Sequence, residues 1–431
     1  MFLAALPLVF SLAGLTLYTV LAGADFGAGF WQLFAGRGPH AARVREHAHD
    51  SMAPVWEANH VWLIFVLTVF WTAYPAALGS IASTLSVPLF IAAVGIIFRG
   101  AAYALRSGTS SRRELRAIDT IFSISSILTP FALGAAVGGI ASSRVPVGNA
   151  AGPPLSSWLN PTSILIGSVA VATSAYLAAV YLAADAARLG EPDLERDFRR
   201  RALGSGVVVG TIAIGGLAVL HGDAHHLFHE LAAGDALPAL VVSIVAGIGT
   251  VGLVFRRRFE AARYTAALAV AAVVAGWALG QWPTILPGLT VRQAAASHDT
   301  LVAVVVAVLA GGAILFPSLA LLFNLALKGR FEGPELAAEE VEAGERHVAK
   351  PRLAPRVAVA CLIAGFGFLN VADAGWAHAV GVAGLFGFMV SAFLAIVPSA
   401  LAAEDGATRP APGTPAGRAD NAPRPTTDDP A

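Results

Sequence analysis

FLAALPLVFSLAGLTLYTVLAGADFGAGFWQLF, residues 2–34, runs for 23 positions without a charge before it meets Asp25. A helix needs about 20 apolar residues to cross the roughly 30 Å of hydrocarbon in a bilayer, so this stretch is long enough. Segments of the same kind recur along most of the 431 residues. The chain is 56% apolar and 13% charged, with a mean hydropathy of +0.69. A soluble domain usually carries about 25% charged residues. Half that number cannot coat a globule of this size, so most of the surface must face something other than water. Backbone groups in lipid have to be satisfied internally, which leaves helices or closed barrels. The runs are continuous and rich in Ala, Leu, Val and Gly, without the alternation of a barrel strand. The reading is an all-α polytopic membrane protein embedded in the lipid bilayer.

Composition also removes function classes. A net charge of zero leaves no electrostatic footprint for nucleic acid. The single cysteine, Cys361, sits in an apolar run and rules out a disulfide framework or an iron–sulfur site within this chain. Met1 leads straight into the first span without a basic segment, so no cleavable leader is expected.

Eleven spans are predicted, at 2–24, 61–78, 80–98, 118–141, 162–184, 203–220, 237–255, 264–280, 300–327, 357–372 and 376–398. Residues 402–431, rich in Pro, Thr, Asp and Ala, read as a disordered tail. With these boundaries 26 of the 28 basic residues fall on one side, and only Arg144 and Arg292 fall on the other. The positive-inside rule then puts the N-terminus outside and the tail in the cytoplasm. Gly134, Gly138 and Gly139, and further on Gly311 and Gly312, read as small-residue seams where helices approach closely.

Ionisable groups in or near spans are costly and therefore functional candidates. Asp25 follows the first apolar run and is surrounded by Gly23, Gly27 and Gly29, which would let another helix or water come close; its bland reading is an interfacial residue ending a helix. MAPVWEANHVWLIF, residues 52–65, places Pro54 at a helix start and Glu57 in the first turn, where the dipole favours a carboxylate. On a helix Trp56, Asn59, His60 and Leu63 share a face, and Trp56 and Trp62 look like interfacial anchors. Arg99 and Arg106 fall at the cytoplasmic end of the third span, where an Arg either snorkels to the headgroups or pairs with Asp25 or Glu57. His221, His225 and His229 have helical spacing and are weak metal candidates; the bland reading is a polar external loop. His40, His47, His49, His347 and His378 read as loop or end residues, and His298 precedes the ninth span.

These stretches resemble subunit II of the cytochrome bd-type ubiquinol oxidases. That family's first helix ends in a pattern close to D-G-F-D-L-G-x-G, and AGADFGAG, residues 22–29, is similar from Asp25 onward. Its second helix opens with P-x-W-[DE]-x-N-x-V-W-L, matched by PVWEANHVWL, residues 54–63. YP at 74–75, RG at 99–100, ALGAAVGGI at 132–140, LNP at 159–161 and PTILPGLTVRQAAASHDTL at 283–301 continue the likeness over about residues 1–330. The departures are Ala22 where the motif often has its first Asp, His60 in place of Gln or Glu, and Glu57 where Asp is common.

The resemblance implies a core at 1–328 made of nine helices, two four-helix bundles plus a peripheral helix. A charged cytoplasmic linker at 329–356, two additional C-terminal transmembrane helices at 357–398 and a tail at 399–431 would follow. It further implies a bacterial inner-membrane complex that oxidises quinol and reduces oxygen to water. Haem b and haem d would sit in a partner, the haem-bearing subunit I, with no catalytic residue and no bound cofactor assigned to this chain, although some members hold a structural quinone here. Asp25, Glu57 and His60 become candidates for a cytoplasmic proton-uptake route, with Trp56, Asn59, Trp62 and Arg99 as structural or charge partners at the same face. The rival class is a polytopic secondary transporter. Such folds tend to carry matched interrupted helices in both halves, and GADFGAGF has no evident counterpart in the second half.

Overall fold

The computed structural model describes residues 2–52, 56–106, 112–327 and 353–371, with scattered positions between 376 and 391. The chain divides into two compact units, Met1–Ala320 and Leu321–Ala431. In the second unit one long helix is described, Leu353–Val371, so most of the second added span and the tail lie outside the described residues.

The first unit is built from α1 (Phe2–Leu33), α2 (Pro39–Met52), α3 (Trp56–Ala73), α4 (Pro75–Thr84), α5 (Ser86–Arg106), α6 (Arg112–Ala141), α7 (Pro161–Arg188), α8 (Pro192–Asp223), α9 (His225–Ala233), α10 (Leu237–Phe255), α11 (Phe259–Gln281), α12 (Val291–Ala294) and α13 (His298–Leu327). Among the described residues eight helices are long and apolar enough to cross a membrane, and α3 adds a shorter apolar stretch, Asn59–Ala73. The packing sorts eight of the nine into two groups. In one, α1 lies against α3 and α6, and α6 against α5; in the other, α7, α8, α10 and α11 close a ring. The groups meet where α7 packs on α1 and α6. α13 buries Leu301 and Val304 near its start and turns Val306, Leu309 and Ile314 outward, as a peripheral helix does.

Lipid is as apolar as leucine, so these helices are held by close packing and polar contacts rather than by expulsion of water. The glycines show where. A Cβ on Gly134 would strike the Ile166 carbonyl at 2.8 Å, and one on Gly138 would overlap the Ser163 backbone, so α6 meets α7 backbone to backbone. Gly311 has nothing within 4 Å among the described residues, so they show no seam there. On the side holding the α6 exit, Arg144 donates to both carboxylate oxygens of Asp223, at 2.9 and 2.6 Å, and Asp223 also accepts from the Thr162 N–H and hydroxyl. This fork ties the exit of α6 to the start of α7 and the end of α8, and the Asp223 hydrogen bonds raise the Arg144 pKa further.

Several expectations are corrected. The first helix does not stop at residue 24. Gly23, Gly27 and Gly29 pack against neighbouring helices instead of breaking the turn, and α1 continues to Leu33. The spans expected at 61–78 and 80–98 are re-divided. The chain breaks at Tyr74–Pro75, because proline has no N–H to continue the ladder; α4 is a short piece, and the spanning helix is α5. His40, His47 and His49 are on α2 rather than in a loop, and His47 is buried there with Val44 and Ala48. A two-stranded hairpin, β1 (Thr284–Leu286) with β2 (Leu289–Thr290), interrupts the otherwise helical fold. His347 and His378 lie outside the described residues.

Candidate functional site

Three helices bring the candidate residues together. Because α1 runs on past Gly23, Asp25 lies within a helix rather than at its end, and it is 1% exposed. Arg99 lies two turns before the end of α5 and is 2% exposed. Its Nη2 donates to the Asp25 carbonyl at 3.0 Å and to Asp25 Oδ1, while Nη1 donates to the Ser126 hydroxyl on α6. The guanidinium lies 4.1 Å from the centroid of the Phe122 ring and 5.1 Å from that of Phe26. A snorkelling arginine would be solvated, so burial excludes that reading of Arg99. The charge is satisfied by an ion pair, a carbonyl, a hydroxyl and two aromatic faces, which is how a membrane interior accepts one.

The sequence around Asp25 explains why the pair can form. A Cβ at Gly29 would overlap the Ser126 side chain and come within 3.1 Å of Arg99 Nη1. A Cβ at Gly27 would overlap the Ser174 carbonyl and approach the Ala178 Cβ at 2.7 Å, and one at Gly23 would press on Leu177. Gly23 and Gly27 therefore seat α1 against α7, and Gly29 opens the opposite flank to α5 and α6. The other carboxylate oxygen, Asp25 Oδ2, is buried with no hydrogen-bond partner among the described residues.

One turn and more inward, Tyr18, Ala22 and Phe26 form a cluster with Trp62 and Leu63 of α3 and Leu133 of α6. Trp62 is partly buried in this packing. His60 is partly buried between Tyr18 and Phe26, with ring centroids at 6.2 and 6.4 Å. Asn59 beside it is 1% exposed, and its amide nitrogen has no hydrogen-bond partner among the described residues. The helix position of Glu57 and Trp56 is that of the first turn of α3, but their side chains lie outside the described residues. Sequence reasoning missed Ser126 and Gln32. Gln32 is 4% exposed, with neither amide atom hydrogen-bonded to protein; its place one heptad after Asp25 was the available signal.

The histidine triplet does not hold. Ala224 departs from helical geometry between α8 and α9, so His221 is on one helix and His225 and His229 are on the next. His221 and His225 keep ring contact at 5.2 Å, yet among the described residues no three His, Cys, Asp or Glu side chains gather as a metal site. The one histidine buried among the described residues, His47, has its Nε2 committed to the Leu182 carbonyl at 3.0 Å.

The chain has known relatives. The family model for "Cytochrome bd terminal oxidase subunit II" matches residues 3–326. The putative cytochrome bd menaquinol oxidase subunit II of Bacillus subtilis is 23% identical over 54% of this chain and 67% of its own length. The cytochrome bd ubiquinol oxidase subunit 2 of the same organism is 28% identical over 26% of this chain, and the cytochrome bd-I ubiquinol oxidase subunit 2 of Escherichia coli 28% over 28%. The matched stretch spans about a third of each of these last two relatives (33% and 32%). In fold the chain is similar to a chain of the bd oxidase of Geobacillus thermodenitrificans, with a TM-score of 0.59, 24% identity, and coverage of 77% of this chain and 100% of that one.

Proposed function

The chain belongs to the cytochrome bd terminal oxidase subunit II family, and from that premise we propose that it works as the second subunit of a quinol:oxygen oxidoreductase in the bacterial inner membrane. Its partner is the haem-bearing subunit I, which carries the b- and d-type haems and oxidises the quinol. Two quinols supply four electrons, and one oxygen takes these and four protons to give two waters. This chain supports the haem subunit and helps to deliver those protons from the cytoplasm.

The observation that carries the proton reading is the buried Asp25–Arg99 pair, with one carboxylate oxygen tied to the guanidinium and Oδ2 without a partner among the described residues. A proton can be taken up and released at Oδ2 while Oδ1 keeps the pair in place. Glu57 lies in the first turn of α3, and His60 adjoins the Tyr18–Phe26 cluster. In orientation, α1 starts outside, and the basic stretches at 37–45, 106–116, 188–201 and 256–263 face the cytoplasm.

The test is purification with the haem subunit. The reduced-minus-oxidised spectrum of the two-chain complex should show b- and d-type haem, and the complex should consume oxygen with quinol. This chain purified alone should show no haem absorbance. Haem bound to the isolated chain, or an active haem subunit without it, would overturn the reading.

A further inference from the structure

A groove of about 620 Å³ lies where the two groups of helices meet, between the end of α1, the middle of α6 and α7, and the first half of α8. That volume is within the roughly 300–1,000 Å³ of ordinary ligand sites. Along α8 its wall runs from Arg201 through Gly204 to Val208, seven residues or about 10.5 Å. This is most of the depth of one leaflet, which is half of the roughly 30 Å of hydrocarbon. The wall is apolar for nearly all of that length, and its few polar groups are already committed. The Ser168 and Ser205 hydroxyls donate to the Ile164 and Arg201 carbonyls of their own helices, at 2.8 and 2.7 Å. The Trp31 indole N–H donates to the Ala175 carbonyl at 2.7 Å.

One end differs. The Arg201 guanidinium lies 5.1 Å from the Trp31 ring centroid, and its Nη2 is fixed 3.0 Å from Asp197 Oδ2. Its Nη1 has no hydrogen-bond partner among the described residues. Arg200 beside it is exposed, and four residues on, one helical turn away, comes Gly204. Backward from this end α8 consists of the charged stretch PDLERDFRR, residues 192–200, so Arg201 marks the membrane-surface end of the groove. A cation at the surface and an apolar wall leading inward match a lipid with a negative headgroup. We propose that an anionic phospholipid occupies this groove, its phosphate on Arg201 and Arg200 and an acyl chain along Gly204 and Val208. Basic pockets between spanning helices take anionic headgroups in this way. Because the groove borders α1 and α6 of one group and α7 and α8 of the other, the lipid ties the two groups together. That its leaflet is the cytoplasmic one rests on the orientation given above; the site does not.

Gly204 supplies the test. A Cβ there meets nothing within 4 Å, so Gly204→Leu fills the groove without displacing a neighbour. The purified two-subunit complex is stripped of lipid in detergent and given dioleoyl phosphatidylglycerol or dioleoyl phosphatidylcholine, which share their tails and differ in net charge. Phosphatidylglycerol should raise the midpoint of haem loss on heating by several degrees more than phosphatidylcholine, and native mass spectrometry should show it retained. In Gly204→Leu the difference should shrink several-fold, with one fewer phosphatidylglycerol retained per complex. Arg201→Gln should lose the preference for phosphatidylglycerol. Equal effects of the two lipids on the unmutated complex would overturn the proposal. So would a phosphatidylglycerol effect undiminished in Gly204→Leu, which would put the lipid elsewhere. Loss of a co-purified quinone from Gly204→Leu, in place of a phospholipid, would overturn the occupant. If Gly204→Leu does not assemble, Val208→Trp closes the groove from its rim, where Val208 is 52% exposed, and decides by the same readouts.

Discussion

Arg99 and Asp25 form an ion pair across α5 and α1 with both side chains at most 2% exposed. Removing one member of a buried pair leaves an uncompensated charge, which costs about 3–5 kcal/mol, whereas removing both can be close to neutral. Arg99→Gln should therefore lower the thermal midpoint and the yield of the assembled complex sharply. The double variant Asp25→Asn with Arg99→Gln should recover most of the loss. The loss of haem absorbance on heating, followed for the three proteins, checks this; a double variant no better than the single would show that the pair is not the interaction at stake.

At Gly27 α1 meets the backbone of α7, since a Cβ there would overlap the Ser174 carbonyl. Backbone cannot give way as a flexible side chain can. Gly27→Ala should abolish accumulation of the complex, while Gly210→Ala, at a position with nothing within 4 Å, should leave it unchanged. Immunoblots of membranes and haem content per milligram of membrane protein separate the two outcomes.

The long apolar runs and the positions of Asp25, Gly23, Gly27 and Gly29 were legible because length, hydropathy and small-residue spacing are local properties. What was not legible depended on partners. For Asp25 the end of a helix and a site of close helix approach both stood open, because three glycines in seven residues normally weaken a helix and the packing on Ser174 and Ser126 that keeps this one intact is not local. For Arg99 snorkelling and pairing with Asp25 or Glu57 both stood open, because its acceptors come from α1 and α6, more than 25 positions away in sequence. The break at Tyr74–Pro75 was visible as a dipeptide, but hydropathy carried the expected span across it. α2 was hidden because a helix of mostly polar composition lying on α7 has no spanning signal.

Topology can be tested with cysteines. Ser297, before α13, and Asp193, at the start of α8, are both exposed, and the basic residues place them on opposite sides. In a background lacking Cys361, Ser297→Cys should react with a membrane-impermeant maleimide in intact spheroplasts. Asp193→Cys should react only after permeabilisation. The reverse pattern would invert the assignment.

The related Geobacillus chain is covered in full by 77% of this one, and the family match ends at residue 326. A chain ending at Lys328 should therefore still assemble with the haem subunit and consume oxygen, with some loss of thermal stability. Failure of the truncated chain to bring haem into the purified complex would show that residues beyond 328 complete the assembly.

The proton reading makes its sharpest demand on groups that keep their shape but lose the capacity to carry a proton. Asn at 25 and Gln at 57 do this, since an amide hydrogen-bonds as a carboxylic acid does but cannot exchange the proton. The decisive measurement is steady-state oxygen consumption with quinol by the purified Asp25→Asn and Glu57→Gln complexes, each first shown to carry the normal haem spectrum. Turnover should fall several-fold in both, with the haems still reduced rapidly by quinol. Unaltered oxygen consumption in both assembled variants would contradict a proton route through this subunit and leave Asp25 as the counter-charge of Arg99.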